Sequence, residues 1–218
     1  GDRSYWDGQG RRILAAHLHA AALGGKTMHD VLGWIADPEG AGRELRQLLR
    51  DSPQPAFAKD AHHFSTMNDR TRSSISSTIM PALGWLSSPD AVAATQPADT
   101  GAGTGRAFDV ADLLRSRGTV YLLGRNEAHT APLMAALVGY IAREARRIAS
   151  AQPGGRIDPA LGLYLDEAGR AAPVPLDDWT GDAGGSGITI VSAFQSRADL
   201  VDGGGRPGRR RSSTTPAR

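Results

Sequence analysis

The run Leu161-Gly162-Leu163-Tyr164-Leu165 leads without interruption into two adjacent carboxylates, Asp166 and Glu167, followed by Ala168-Gly169. No other stretch restricts the chain's folding as much. A short apolar run ending in charge predicts a strand buried on both faces, as in a parallel α/β sheet. Ligands of such sheets lie beyond the carboxyl ends of the strands, which is where Asp166 and Glu167 would emerge. In nucleotide hydrolases a first carboxylate in this place holds Mg²⁺ and a second orients or deprotonates the attacking water. The bland alternative is a buried strand followed by a solvated acidic turn, and seven residues alone do not choose between the two.

The flanking sequence adds to the first reading. Thr119-Val120-Tyr121-Leu122-Leu123-Gly124 is a second short run with strand character. Between the two runs, residues 131–151 carry Leu133, Leu137, Tyr140, Ile141, Glu144 and Ile148 at helical spacing. This predicts strand, helix, strand, with a right-handed crossover. Beyond the carboxylates, Gly187-Ile188-Thr189-Ile190-Val191-Ser192-Ala193 predicts a third strand, which delivers Phe194-Gln195-Ser196 to the same edge. A Gln there can hydrogen-bond a γ-phosphate or its attacking water. Taken alone, Gln195 reads as an ordinary polar strand end.

The segments LGLYLDEAGRAAPVPLDDW and GSGITIVSAFQSRADL resemble the strand-Asp-Glu region and the following strand-plus-Gln motif of type IV secretion coupling proteins. These are the TraG/TraD-like ATPases of conjugative DNA transfer. Tyr5-Trp6 before an Ala/Leu-rich helix resembles the start of a helical region inserted in that family's RecA-like domain. The resemblance spans roughly residues 5–202, and other RecA-like translocases share the strand-Asp-Glu and strand-Gln pair. It implies an α/β fold, a partial RecA-like P-loop ATPase core preceded by an all-α insertion. The implied ligands are ATP and Mg²⁺, with Asp166 holding the metal, Glu167 activating water and Gln195 sensing the γ-phosphate. The implied partners are DNA, relaxosome and secretion-channel proteins, and further copies in a hexameric ring. The family's place is the cytoplasmic side of an inner-membrane anchor. A chain this short, starting with Gly, would then be a piece of such a protein, monomeric by itself and inactive as an ATPase.

Composition narrows the remaining classes. The chain has 218 residues, 40% of them hydrophobic, enough for one ordinary domain or two small ones. It has no cysteine, which excludes disulfides, thiolate metal sites and thiol nucleophiles. The net charge of +2 misleads: Arg206, Arg209, Arg210, Arg211 and Arg218 sit in an acid-free tail, so the remainder carries −3. A global basic field is therefore no argument for nucleic-acid binding. The most apolar run, Ile13 to Leu23, contains His17 and His19 and is too short to cross a bilayer.

In chain order, residues 9–23 predict an amphipathic helix with Ile13, Leu14, Leu18, Ala21 and Ala22 on one side, stopped by Gly24-Gly25. Thr27 to Asp30 reads as a capping box opening a second helix through Val31, Leu32, Trp34 and Ile35, which Asp37-Pro38 end. A third helix over 42–50 places Leu45, Leu48 and Leu49 inward, and 56–69 is weakly helical. Ile75, Ile79, Leu83 and Leu86 form a cleaner stripe, with Pro81 expected to kink it. Residues 1–86 thus predict an all-α domain, 87–106 a flexible linker, 107–202 the partial nucleotide-binding domain and 203–218 a basic low-complexity tail. Asp109 caps a short helix that Gly118 ends.

Two glycine-rich stretches are decoys. Ala20-Ala21-Ala22-Leu23-Gly24-Gly25-Lys26-Thr27 fits a relaxed P-loop pattern, but a helix precedes it where a phosphate cradle needs a strand. Its glycines read as a helix cap. Gly101 to Gly105 lies in low-complexity sequence with no strand before it. His62-His63 lacks the spacing of a zinc helix, and no nucleophile elbow is present. Arg156, Arg170 and Arg197 are candidate trans-acting arginines that the sequence does not rank.

Overall fold

The computed structural model describes residues 2–95, 108–123 and 129–196. The chain divides into two compact units, residues 1–104 and 105–218. It is mostly helical, and the described residues contain one two-stranded parallel sheet.

The first unit is helical throughout its described length, with α1 (Asp2–Gly24), α2 (Met28–Ala36), α3 (Pro38–Leu48), α4 (Pro55–Thr66), α5 (Asp69–Leu83) and α6 (Pro89–Thr95). A 3₁₀ turn, Gly84–Ser87, joins the last two. Helix α1 is central and packs against α2, α3, α4 and α5. Its buried stripe is Ile13, Ala16, His17, Ala20 and Ala21, whereas Leu18 is 39% exposed. The expected apolar side, drawn through Leu18 and Ala22, is therefore displaced. Small alanines let neighbouring helices approach, and His17 fills the space between the Trp34 and Phe64 rings. Elsewhere the apolar pattern locates the core: Val31, Trp34, Ile35, Leu45, Leu49, Ile75, Ile79 and Leu83 are all buried.

The expected capping box is formed. Thr27 accepts from the Asp30 backbone N–H, and the Asp30 carboxylate accepts from the Thr27 backbone N–H at 2.7 Å. Asp37 ends α2 and also caps α3, with Pro38 at the first helical position, so α3 begins four residues earlier than expected. Pro is pre-organised for that place because its missing N–H would have no partner there. The expected linker is also shorter than drawn, because Pro89–Thr95 is helical. Residues 96–106 of it, including Gly101 to Gly105, lie outside the described residues, as does the basic tail.

The second unit contains α7 (Val110–Ser116), α8 (Ala131–Ser150), β1 (Leu161–Leu165), α9 (Ala168–Ala171), α10 (Leu176–Ala183) and β2 (Ile188–Ser192). Asp109 caps α7 by accepting from the Ala111 and Asp112 N–H groups. The buried face of α8 is Val138, Ile141, Ala142, Ala145 and Ala149, rotated from the expected row so that Tyr140 is exposed. Strands β1 and β2 pair in parallel, Leu161 opposite Ile188 and Leu165 opposite Ser192.

Two expectations for this sheet fail. Strand β1 is not buried on both faces: Leu161, Leu163 and Leu165 point into the core, but Tyr164 is 78% exposed. The strand is therefore half-covered, with the alternating pattern of a sheet packed on one side. Nor do Thr119 to Leu123 form a strand; Gly124 lies outside the described residues. That segment and β1 face each other across a groove of about 740 Å³. Tyr121 and Leu123 are 82% and 92% exposed, so the apolar burial that would reward pairing is missing. Three strands of one sheet are expected, and the described residues form two. No helix among the described residues is long and apolar enough to cross a membrane.

Candidate functional site

The two strands that do form bring the predicted site residues together. Because β1 and β2 are parallel and in register, Asp166 and Glu167 leave the sheet at the same end as Ala193, Phe194 and Gln195. The pairing continues past the strand ends. The Ala193 N–H donates to the Leu165 carbonyl at 2.9 Å, and the Ala168 N–H donates to the Ala193 carbonyl at 3.0 Å. These two bonds fix the chain on either side of the carboxylates.

Glu167 sits in the left-handed region, with φ 48° and ψ 43°. For a residue with a Cβ this conformation carries strain on the order of 1 kcal/mol or more, and it persists only where the surroundings impose it. Its own carbonyl accepts from Arg170 at 2.8 Å and Ala171 at 2.9 Å, which closes the short helix α9 behind it. The sharp turn carries the Glu167 side chain back toward β2, where its Oε1 accepts from Nε2 of Gln195. Phe194 anchors the Gln by packing on the cluster formed by Leu165, Ala168 and Ala172.

Asp166 is exposed, and its Oδ1 accepts from the Glu167 backbone N–H at 3.0 Å. One oxygen is thereby oriented and the other is left for an outside ligand. Mg²⁺ typically binds through one or two carboxylates plus waters and substrate phosphates, so a single directed carboxylate fits a magnesium ion that arrives with a nucleotide. Among the described residues no three acids or histidines cluster as metal ligands, so a cage made wholly of protein groups is not present there.

Around Glu167 and Gln195 the surface is a shallow notch, completed by Gly169, Arg170 and Phe194, with no enclosed volume. The 740 Å³ groove lies on the other edge of β1, between Leu122, Met134, Val138, Ile141 and Leu163, and reaches only Asp166 of the three. Its lining is largely apolar, with Arg117 its one basic residue. That chemistry does not suit a triphosphate, which needs several N–H groups and cations. Of the candidate arginines, Arg170 is at the notch, Arg156 donates to the Gly184 carbonyl at 2.9 Å, and Arg197 lies outside the described residues.

Gly24 to Thr27 are used as a helix–helix turn. Helix α1 runs through Gly24, Gly25 takes φ +60° as its C-terminal cap, and Lys26 N–H closes on the Ala21 carbonyl at 2.9 Å. Lys26 Nζ pairs with Glu44 at 2.6 Å, and its carboxylate partner raises its pKa further. No strand precedes the turn, so its N–H groups form no phosphate cradle.

Sequence reasoning missed the backbone of Glu167. Glutamate has no preference for the left-handed region, and nothing in the one-dimensional pattern signals it. The polar half of the notch, by contrast, is legible as a residue pair on successive strands. Comparison with family models, with curated proteins and with solved structures finds no match.

Proposed function

We propose that this chain carries the metal- and water-handling half of the ATP site of a TraG/TraD-like coupling protein. Such a protein uses hydrolysis to drive conjugative transfer of DNA or DNA–protein substrates into a type IV secretion channel. The observation that supports the reading best is the Glu167–Gln195 hydrogen bond at the carboxyl end of a parallel strand pair, beside the exposed Asp166. A solvated acidic turn needs neither a left-handed glutamate nor a partner from the next strand. The step from nucleotide hydrolase to DNA transfer rests on the residue pattern from Leu161 to Leu200 and on a helical unit ahead of the α/β unit.

In this reading Asp166 holds Mg²⁺, which supplies charge neutralisation on the β- and γ-phosphates when bound. Glu167 accepts a proton from, or orients, the attacking water. The Gln195 amide would exchange Glu167 for a γ-phosphate oxygen or that water, and so report whether the nucleotide is intact. The RecA-like core, a hexameric ring and an inner-membrane anchor belong to the same proposal. A second reading, a non-catalytic interaction module, is favoured by the shallow notch and by the use of Gly24 to Thr27 as a cap. Another RecA-like DNA translocase would share the Asp-Glu and Gln residues.

Sequencing the gene on both sides of this segment tests the proposal. The expected finding is an in-frame strand–G-x-x-x-x-G-K-[ST]–helix before it, with membrane helices further upstream. A P-loop without membrane helices would move the reading to another translocase. A complete reading frame with no P-loop would overturn it in favour of the interaction module.

A further inference from the structure

Strand β1 has one unused edge. The Leu161 N–H donates to the Gly187 carbonyl at 3.0 Å, and the Leu165 carbonyl accepts from the Ala193 N–H at 2.9 Å. Leu161, Leu163 and Leu165 therefore turn their backbone groups toward β2, and the alternate residues turn theirs away. Gly162 and Tyr164 thus present two N–H donors and two carbonyl acceptors to the opposite edge. Among the described residues no strand pairs with them there. That edge is one wall of the 740 Å³ groove. Unpaired donors and acceptors along a strand are a template for another extended backbone.

The groove also has a direction. Leu114 packs on the cluster that holds Leu161, and Leu122 on the cluster that holds Leu165. Residues 117–123 thus run alongside β1 in the same sense, with Arg117 at the start of the strand and Asp166 at its end. These two are the charged residues of the lining. Arg117 is exposed and makes no ion pair among the described residues. Asp166 commits one oxygen to the Glu167 N–H and leaves the other open. Between the charged ends the floor is apolar, formed by Val138, Ile141 and Leu163. Spread along the ~16 Å of β1, the volume is a channel of about 45 Å² in section, close to the ~4.8 by ~10 Å that one strand occupies.

We propose that this groove binds a free apolar oligopeptide of about five residues, extended and antiparallel to β1. Its carboxylate pairs with Arg117 and its ammonium with Asp166, which sets the direction. Its main chain bonds to Gly162 and Tyr164, and alternate side chains enter the apolar floor. A fatty carboxylate suits the floor and Arg117, but it would cover the Gly162 and Tyr164 backbone groups without pairing them. Neither end of a longer protein supplies both charges. The bound peptide covers Tyr121, Leu123 and Tyr164, which the unit leaves exposed. The site shares only Asp166 with the nucleotide site proposed above and needs neither Glu167 nor Gln195.

The test is calorimetric titration of the full chain, without nucleotide or Mg²⁺, with the free pentapeptide Val-Thr-Leu-Thr-Val. Saturable one-to-one binding is expected. Amidating the peptide's carboxylate should cost about tenfold in the parent. In Arg117→Gln, already about tenfold weaker for the free peptide, amidation should cost less than about twofold. Acetylating the amino end should behave in the same way toward Asp166→Asn. N-methylation of the second and fourth residues should differ sharply from that of the third and fifth, because only one set faces β1. The peptide arms leave the protein unchanged, so they decide the matter even if a variant folds poorly by circular dichroism. The proposal is overturned by no saturable binding to the parent, by an amidation cost equal in parent and Arg117→Gln, or by equal losses from both methylated sets. An acetylated peptide bound as tightly as the free one would overturn it in favour of the end of a longer protein. Decanoate bound as tightly as the peptide would overturn it in favour of a fatty carboxylate. Glu167→Gln should leave the isotherm unchanged, so failure here and failure of the ATPase reading remain distinguishable.

Discussion

Gln195 donates a hydrogen bond from its side-chain amide to the carboxylate of Glu167, and so joins two residues that follow different strands of a parallel pair. The contact depends on Glu167 holding a left-handed backbone, which redirects its side chain from the end of β1 toward the end of β2. The strained backbone and the residue proposed to handle water therefore coincide at Glu167.

If Glu167 handles the attacking water, its charge matters more to turnover than to affinity. In a form of the protein that carries a phosphate-binding loop, Glu167→Gln should lower steady-state ATP hydrolysis at least about a hundredfold, the usual scale for loss of a general base. Nucleotide affinity should change by no more than about threefold. Hydrolysis within threefold of the parent rate would remove Glu167 from the role.

The strain makes a separate prediction about stability. Glycine adopts φ 48° without a Cβ clash, whereas alanine keeps the clash and loses the Gln195 contact. Glu167→Gly should therefore be more stable than Glu167→Ala by about 1 kcal/mol in urea unfolding of the second unit. Equal stabilities would mean that the backbone of Glu167 is not strained.

Much of this could be read from the sequence, and the failures have a common cause. Apolar spacing located the helical cores of α2, α3 and α5, and Thr27 and Asp30 identified a capping box, because these signals are local. The strand ends carrying Asp166, Glu167 and Gln195 were legible for the same reason. What failed depends on tertiary cover. Tyr164 reads as a core residue until one face of β1 proves open, and Thr119 to Leu123 reads as a strand until nothing is found to bury Tyr121 and Leu123. The burial of His17 is not legible locally either, because the Trp34 and Phe64 rings that enclose it come from α2 and α4.

His17 is fully buried; its Nδ1–H donates to the Ile13 carbonyl at 2.8 Å, while Nε2 has no hydrogen-bond partner. Burial between Trp34 and Phe64 lowers its pKa below the ordinary value of 6.5. The folded state therefore binds fewer protons than the unfolded state, and its stability is fully present above pH 6.5 and declines as pH falls below it. Denaturant midpoints of the helical unit should be flat from pH 8 to about 7 and fall toward pH 5, and His17→Leu should remove most of that fall. A fall of the same size in His17→Leu would assign the effect to other groups.

Thr27 supplies the side-chain oxygen of the cap at the start of α2. Thr27→Ala should destabilise the helical unit by about 1 kcal/mol, a loss typical of N-cap removal. Thr27→Ser should retain most of the stability, since the hydroxyl is kept. A Thr27→Ala variant as stable as the parent would show that the capping box contributes nothing there.

The most direct measurement of the central claim is amide line broadening by Mn²⁺·ATP, with Mn²⁺ standing in for Mg²⁺. It places the metal–nucleotide complex on the chain even when binding is weak. Broadening should be strongest at residues 166–168 and 193–195, and should be lost in Asp166→Asn. Broadening centred on Gly24 to Thr27, abolished by Lys26→Ala and unaffected by Asp166→Asn, would contradict it.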